Sequence, residues 1–192
     1  KVSFNTFEPG RKFHGLEKMN LNAETNDPSL VRSMMTWELF RYMGIPGSRI
    51  NHVLLYINEE YMGVYLHTEH IDEQFVKSRF GTNDGNLYKC LWPASLEYKG
   101  SSGEDYKYEN EGRRAYELKT NTVWDDYRDL SGLIRVLDMY SGEALTGELE
   151  NVFNARQYLK TMAVDVMTGN WDGYVGNKNN FYLYRDQVTG RF

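Results

Sequence analysis

The chain has 192 residues, with 22 Lys and Arg against 27 Asp and Glu, so its formal charge at pH 7 is −5. This acidic balance argues against nucleic acid as the main partner, because no basic excess is available to neutralise phosphates. A hydrophobic fraction of 41% with 26% charged residues excludes wholesale disorder. No apolar run approaches the roughly 18 residues that a membrane span requires, and the single Cys90 excludes an internal disulfide framework.

The first seventy residues predict a small lobe of strands with one helix. The predicted elements are strands at 1–7 and 16–23, a helix over 27–43, and a hairpin of strands at 52–58 and 61–68. The helix is expected to begin at a capping Asn26 or Asp27, and Gly44 with Pro46 is expected to end it.

The remaining residues predict a mainly helical lobe. Its predicted elements are helices over 71–80 and 124–140, a third helix capped by Asn154 and ended by Gly169, and strands at 86–92, 116–119 and 181–184. Residues 97–114 are charged and rich in Gly and Ser with almost no aliphatic side chains, which predicts a mobile insertion or loop. The fold class is therefore α+β, with a mixed lobe over 1–70 and a helical lobe over 71–192.

The most informative segment joins the helix after Asn154 to the strand at 181–184. It is a polar loop in which Asp172 and Asn177 stand five residues apart. In protein kinases a loop of this kind carries an Asp that accepts the proton of the substrate hydroxyl and an Asn that holds magnesium. A short rigid loop can point the Asp at the attacking hydroxyl and the Asn at the phosphate-bound metal at the same time. The alternative is that Asp172 and the asparagines only hydrogen-bond the loop backbone.

Seven collinear blocks resemble the spore-coat-protein-H (CotH) kinase family over essentially the whole chain. They are 13–22 (FHGL and MNLN), 27–32 (DPSLVR), 56–65 (YINEEYMGVY), 69–72 (EHID), 85–89 (GNLYK), 116–120 (YELKT) and 170–186 (NWD with NFYLYRD). The resemblance implies a divergent, two-lobed protein-kinase-like fold that binds ATP with Mg²⁺ or Mn²⁺ between its lobes. It also implies transfer of the γ-phosphate to Ser residues of coat or surface proteins, and a location on the spore coat, secreted or on the cell surface.

By this resemblance Asp172 is the catalytic-loop Asp and Asn177 the metal-binding Asn. The segment departs from ordinary kinases because Asn170-Trp171 stand where His-Arg precedes the Asp. The second metal-binding acid of the family is expected beyond Phe192, so the domain is expected to be C-terminally incomplete here and this stretch inactive alone. No G-x-G-x-x-G phosphate loop is present either.

A kinase also needs a lysine that neutralises the phosphates and pairs with a helix glutamate. Lys18, on the strand before the first helix, has that position, with Lys1 as second choice, and Glu38 is its formal partner. Arg32 is a candidate phosphate clamp, and Glu69 lies where a kinase hinge would hold adenine. The alternative for each is an ordinary solvated surface charge.

The sequence leaves open the role of two lysines and the choice between a kinase and two other functions. Lys89 and Lys119 flank the charged insertion and are either ligands of a phosphate or substrate or lysines that protect strand edges. The competing function is a non-catalytic, adhesin-like surface protein that uses the same fold, and a weaker third is a carbohydrate-associated module suggested by the 15% aromatic content.

Overall fold

The computed structural model describes residues 1–192 as an α+β protein with two compact units, Lys1–Ile71 and Asp72–Phe192. The first unit contains one antiparallel sheet of strand order β1-β2-β4-β3 and one helix. Its elements are β1 (Val2–Ser3), β2 (Lys18–Asn22), α1 (Arg32–Tyr42), β3 (Ile50–Ile57) and β4 (Glu60–Thr68). The predicted hairpin is confirmed, and Asn58 and Glu59 both adopt the left-handed conformation of a tight type I′ turn.

Helix α1 begins at Arg32, so the predicted start near residue 27 is wrong. Leu30 has a positive φ of 54°, which a helix cannot contain. The Asp27 carboxylate nevertheless caps the helix from a distance, because its Oδ2 accepts hydrogen bonds from the backbone N–H of Val31 (3.1 Å) and Arg32 (2.9 Å). The hydrogen bond from the Ser29 hydroxyl, which is the largest contribution, and that from the Arg32 N–H lower the pKa of Asp27.

The second unit is built around a three-stranded antiparallel sheet of order β8-β5-β9. Its elements are α2 (Glu73–Phe80), β5 (Leu87–Cys90), a 3₁₀ helix (Gly103–Tyr106), β6 (Glu109–Asn110), β7 (Arg113–Arg114), β8 (Tyr116–Leu118), α3 (Arg128–Met139), α4 (Gly142–Val152), α5 (Ala155–Thr168), α6 (Tyr174–Asn177) and β9 (Phe181–Tyr184). The longest helix, α5, has 14 residues, and none of the helices has the length and apolarity needed to span a bilayer.

Four fully buried tyrosines form much of the core of the second unit: Tyr88, Tyr106, Tyr116 and Tyr127. Each of their hydroxyls has a partner, as burial requires. The hydroxyl of Tyr127 donates to the Tyr116 carbonyl at 2.6 Å, for example, and that of Tyr106 to the Gly100 carbonyl at 2.9 Å. The high tyrosine content therefore serves packing in this unit.

Residues 97–114 form a packed segment, so the interpretation as a mobile insertion is wrong, whereas a loop is found outside the 3₁₀ helix and the β6-β7 hairpin. The rings of Tyr106 and Tyr108 supply the apolar area that the missing aliphatic residues do not, and they pack edge-on against Tyr116. The Ser102 side chain caps the 3₁₀ helix in a capping box with Asp105. A composition without aliphatic side chains is thus compatible with a packed segment when buried tyrosines replace them.

Candidate active site around Asp172

The loop that carries Asp172 begins where α5 ends in a left-handed glycine. Gly169 has a φ of 67°, as predicted for the residue that ends this helix. Asn170 then turns back onto the last turn of α5, because its backbone N–H and its side-chain amide donate to the Asp165 carbonyl (2.9 Å) and carboxylate (3.0 Å). These two bonds fix the direction in which the chain enters the loop.

The partners of the Asp172 carboxylate are three side-chain amides from the same loop. Asn177 Nδ2 donates to Oδ1 at 2.6 Å, and Asn180 Nδ2 donates to Oδ2 at 2.6 Å. Asn179 Nδ2 makes a longer contact of 3.3 Å to Oδ1. A carboxylate offers about four acceptor sites, so this arrangement fixes the side chain and leaves one acceptor site open on Oδ2.

The compactness of this loop depends on Gly176 in the single-turn helix α6. A Cβ atom at this position would lie 1.8 Å from the backbone oxygen of Trp171 and 2.7 Å from its carbonyl carbon. No side chain is compatible with that approach. Lys178 and Asn180 adopt left-handed conformations (φ 59° and 50°) and bring the asparagines after α6 back towards Asp172.

The amide oxygen of Asn177 is buried and has no hydrogen-bond partner, although the nitrogen of the same amide donates to Asp172. A buried acceptor without a donor costs about 1–3 kcal/mol, so this oxygen needs a partner. Amide and carboxylate oxygens are ligands of Mg²⁺, which is commonly held by one or two carboxylates plus substrate phosphates. Asn177 Oδ1 beside Asp172 therefore fits such a cation, although no cluster of three or more His, Cys, Asp and Glu is present.

A second segment, residues 91–95, supports the loop from the side. Asn179 Oδ1 accepts a hydrogen bond from the Trp92 backbone N–H at 2.9 Å, so the Asn179 amide bridges this segment to Asp172. The Ala94 N–H donates to the Lys178 carbonyl at 3.2 Å. Residues 91–95 directly follow β5, and the Asp172 loop directly precedes β9. Because β5 and β9 pair in the central sheet of the second unit, that sheet holds the loop in place.

The residues predicted to bind nucleotide lie in the first unit and are not brought together as a kinase pair. Lys18 lies on β2 opposite Ser3. Glu38 does not pair with Lys18, because it forms an exposed ion pair with Arg41 on its own helix, with Arg41 Nε at 3.1 Å. The hydrogen bond from Arg41 lowers the pKa of Glu38. Residues three positions apart lie on the same face of a helix, so Glu38 and Arg41 can form this ion pair within α1.

Arg32 and Glu69 have structural partners in the same unit. Arg32 is the exposed first residue of α1, and its backbone N–H is one of the groups that Asp27 caps. The Glu69 side chain is only 9% exposed and accepts from the Arg49 guanidinium at 2.6 Å and from the Arg49 backbone at 3.0 Å. Their nucleotide-binding roles remain predictions.

The sequence indicates Asp172 and Asn177 but suggests no role of their own for Asn179 and Asn180. The signal for them is the density of amides in Asn177-Lys178-Asn179-Asn180. Such a run is typical of backbone capping, which asparagine commonly provides. In the structure the amides instead converge on a single carboxylate.

A sequence model described as "CotH kinase protein" matches residues 1–192, the whole chain. Three curated relatives are similar to it. Inner spore coat protein H of Bacillus subtilis is 28% identical over 97% of the chain and half of its own length. Two proteins of Rhizopus delemar, Invasin CotH3 and Invasin CotH2, are 24% and 25% identical over 83% of the chain and 27% of their own length. The chain thus spans half, or about a quarter, of the relatives that it matches.

Proposed function

The chain belongs to the CotH kinase family, and we propose that it carries the catalytic loop of an atypical protein kinase that transfers the γ-phosphate of ATP to Ser side chains. The family membership rests on the match over residues 1–192. The observation that carries the catalytic proposal is a fixed carboxylate, Asp172, beside an Asn177 side chain whose amide nitrogen donates to it and whose buried amide oxygen has no hydrogen-bond partner.

Asp172 has the chemistry of the residue that receives the hydroxyl proton. Three amides hold its carboxylate in one orientation, and Oδ2 retains an acceptor site towards which a Ser hydroxyl can donate. Holding the base before the substrate arrives removes the cost of orienting it during the reaction.

Asn177 Oδ1 is the atom of this loop that would hold a magnesium or manganese ion. Such an ion, when bound, supplies positive charge that neutralises the phosphates of ATP. The chain's own contribution is to keep this oxygen buried and aimed, through the hydrogen bond from the other end of the amide to Asp172. The nitrogen and the oxygen of one side chain thereby couple the position of the base to that of the ion.

The names of the relatives support a proposal for the substrate class. Their names include an inner spore coat protein and invasins, in agreement with the predicted location on a spore coat or cell surface. We therefore propose Ser-containing coat or surface proteins as substrates.

A second candidate is a non-catalytic surface-binding role, which the name invasin favours for two of the relatives. It requires neither ATP nor a cation at Asn177. Metal-dependent nucleotide binding therefore separates the two functions.

The test is the thermal stability of the full-length protein with ATP, with and without Mg²⁺ or Mn²⁺. A ligand that binds only the folded state raises its stability by mass action. We expect a metal-dependent rise in Tm that Asn177→Ala reduces and that Asn151→Ala, an exposed amide of α4, leaves intact. The absence of any rise with millimolar ATP and either metal would favour the surface-binding role.

A further inference from the structure

Strand β3 lies at the edge of the sheet in the first unit, and its outer side has no strand beside it. The strand order is β1-β2-β4-β3, so β3 pairs with β4 on one side only. No backbone hydrogen bond from elsewhere in the chain reaches residues 50–57 on the other side. Because alternate residues of an antiparallel strand direct their N–H and C=O groups to opposite sides, about half of these eight residues present unpaired donors and acceptors along this edge.

The length and composition of β3 distinguish it from the other sheet edges. Strands β1, β8 and β9 are two, three and four residues long, and short edge strands protect a protein from pairing with other chains. Strand β3 has eight residues, INHVLLYI, without the proline or charged side chains that commonly protect an edge. The bulge of this hairpin lies in β4, where Met62 has no partner in the register, so it leaves the edge strand regular.

The side chains beside this edge are apolar and exposed. Leu54 and Tyr56 lie on one face of β3, since side chains alternate along a strand, and they are 63% and 57% exposed. Val64, opposite Leu54 on β4, is exposed as well. Neighbouring side chains on one face of paired strands contact each other. A strand added at this edge therefore covers part of Leu54 and Tyr56 while it satisfies the backbone groups.

The charges at the two ends of β3 favour an antiparallel second copy as the added strand. Arg49 precedes the strand, and its side chain is 70% exposed although it pairs with Glu69. Glu59 and Glu60 follow the strand at the hairpin turn and are exposed. A twofold axis through Leu54 brings the basic end of each copy beside the acidic end of the other. A parallel arrangement would instead place like charges together, and the uncharged strand between the ends meets no repulsion from its own copy.

We propose that two copies of the protein associate through β3, which pairs antiparallel with β3 of the second copy and joins the two four-stranded sheets into one. In the register centred on Leu54, residues 51–57 of each copy pair with the same residues of the other. The two Leu54 side chains then lie side by side at the twofold axis, and each Tyr56 is opposite His52 of the other copy. This association uses no residue of the Asp172 loop and is independent of the proposed function.

The test is the mass of the full-length protein, measured by analytical ultracentrifugation over a series of protein concentrations. We expect wild type to pass from monomer to dimer as the concentration rises. Leu54→Lys should raise the Kd of the dimer at least about tenfold, because two like charges replace an apolar contact at the twofold axis. Met35→Lys is the matched control and should leave the Kd unchanged, since Met35 is an equally exposed apolar residue of the same unit that lies on α1, outside the hairpin.

A charge swap separates strand pairing from general adhesion of apolar surfaces. Leu54→Glu alone should weaken the dimer as Leu54→Lys does. An equimolar mixture of the two variants should form a mixed dimer with a Kd within a few fold of wild type, because opposite charges then face each other at the axis. Circular dichroism verifies that each variant is folded, and Tyr56→Lys replaces Leu54→Lys if the latter is not.

Wild-type protein that stays monomeric at every concentration overturns the inference, and so does a dimer that a folded Leu54→Lys or Tyr56→Lys variant leaves intact. A dimer that Met35→Lys weakens as much as Leu54→Lys does, or a mixture of the Lys and Glu variants that stays monomeric, overturns the assignment of the interface to β3.

Discussion

Replacement of Gly176 by alanine tests whether the Asp172 loop has the close-packed form described above. The new Cβ would lie 1.8 Å from the Trp171 oxygen, and real Cβ contacts are not found below 3.0 Å, so the backbone has to move by about 1 Å. The 2.6 Å bonds from Asn177 and Asn180 to Asp172 would then lengthen beyond the range of hydrogen bonds.

The expected magnitudes differ for stability and for activity. Overpacking of this kind lowers the free energy of unfolding by about 1–3 kcal/mol. A displacement of about 1 Å in a catalytic group costs on the order of 100-fold in rate. We therefore expect a folded variant whose phosphoryl transfer falls by roughly 100-fold.

The assay combines urea denaturation with ³²P transfer from ATP by the full-length protein. Gly132→Ala is the matched control, because Gly132 lies on the exposed side of α3 and a Cβ added there would have no neighbour within 4 Å. It should raise the free energy of unfolding by about 0.5–1 kcal/mol, the helix preference for Ala over Gly. Wild-type stability and wild-type transfer in Gly176→Ala would refute the described loop.

Two further predictions concern the packing of residues 97–114 and one ion pair beside it. Tyr106→Phe should lower the free energy of unfolding by about 1–3 kcal/mol in urea denaturation and admit proteolysis within 97–114, because the Gly100 carbonyl loses its donor; unchanged resistance to trypsin would contradict this. Asp125→Asn should cost about 1 kcal/mol or less at pH 7, since both members of its pair with Arg114 are about a third exposed. The hydrogen bond from Arg114 lowers the pKa of Asp125 below 3.8, so its stabilisation is present above that pH and lost as the pH falls through the lowered value. Melting curves of wild type and variant should therefore converge in acid, and a constant difference would contradict the assignment.

Elements with local signals were predictable from the sequence. The end of α5 at Gly169 and its start at Asn154, whose side chain accepts from the Gln157 N–H at 3.0 Å, follow from residue preferences at helix termini. The hairpin of β3 and β4 follows from its apolar strands and polar turn. In each case the decisive interaction joins residues close in sequence.

Features set by distant contacts were not predictable in this way. Helix α4 is not among the predicted elements, because its apolar stripe is short: Leu145, Leu149 and Val152 are only half-buried, and no residue of the helix is fully buried. The order of residues 97–114 depends on Tyr116, which lies outside that segment. The convergence of three amides on Asp172 depends on the backbone path after α6, which no spacing rule encodes.

The measurement that tests the central proposal most directly is ³²P transfer from ATP to a Ser-containing protein by wild type and Asp172→Asn. The exposed Asn180 amide can rotate to offer its oxygen to the new amide, so the loop should keep its form. Loss of the general base should lower the rate about 10²–10⁴-fold while ATP affinity changes little. Asp138→Asn, an exposed substitution on α3, is the control and should transfer at the wild-type rate. Near-wild-type transfer by folded Asp172→Asn would contradict the assignment of Asp172 as the catalytic base.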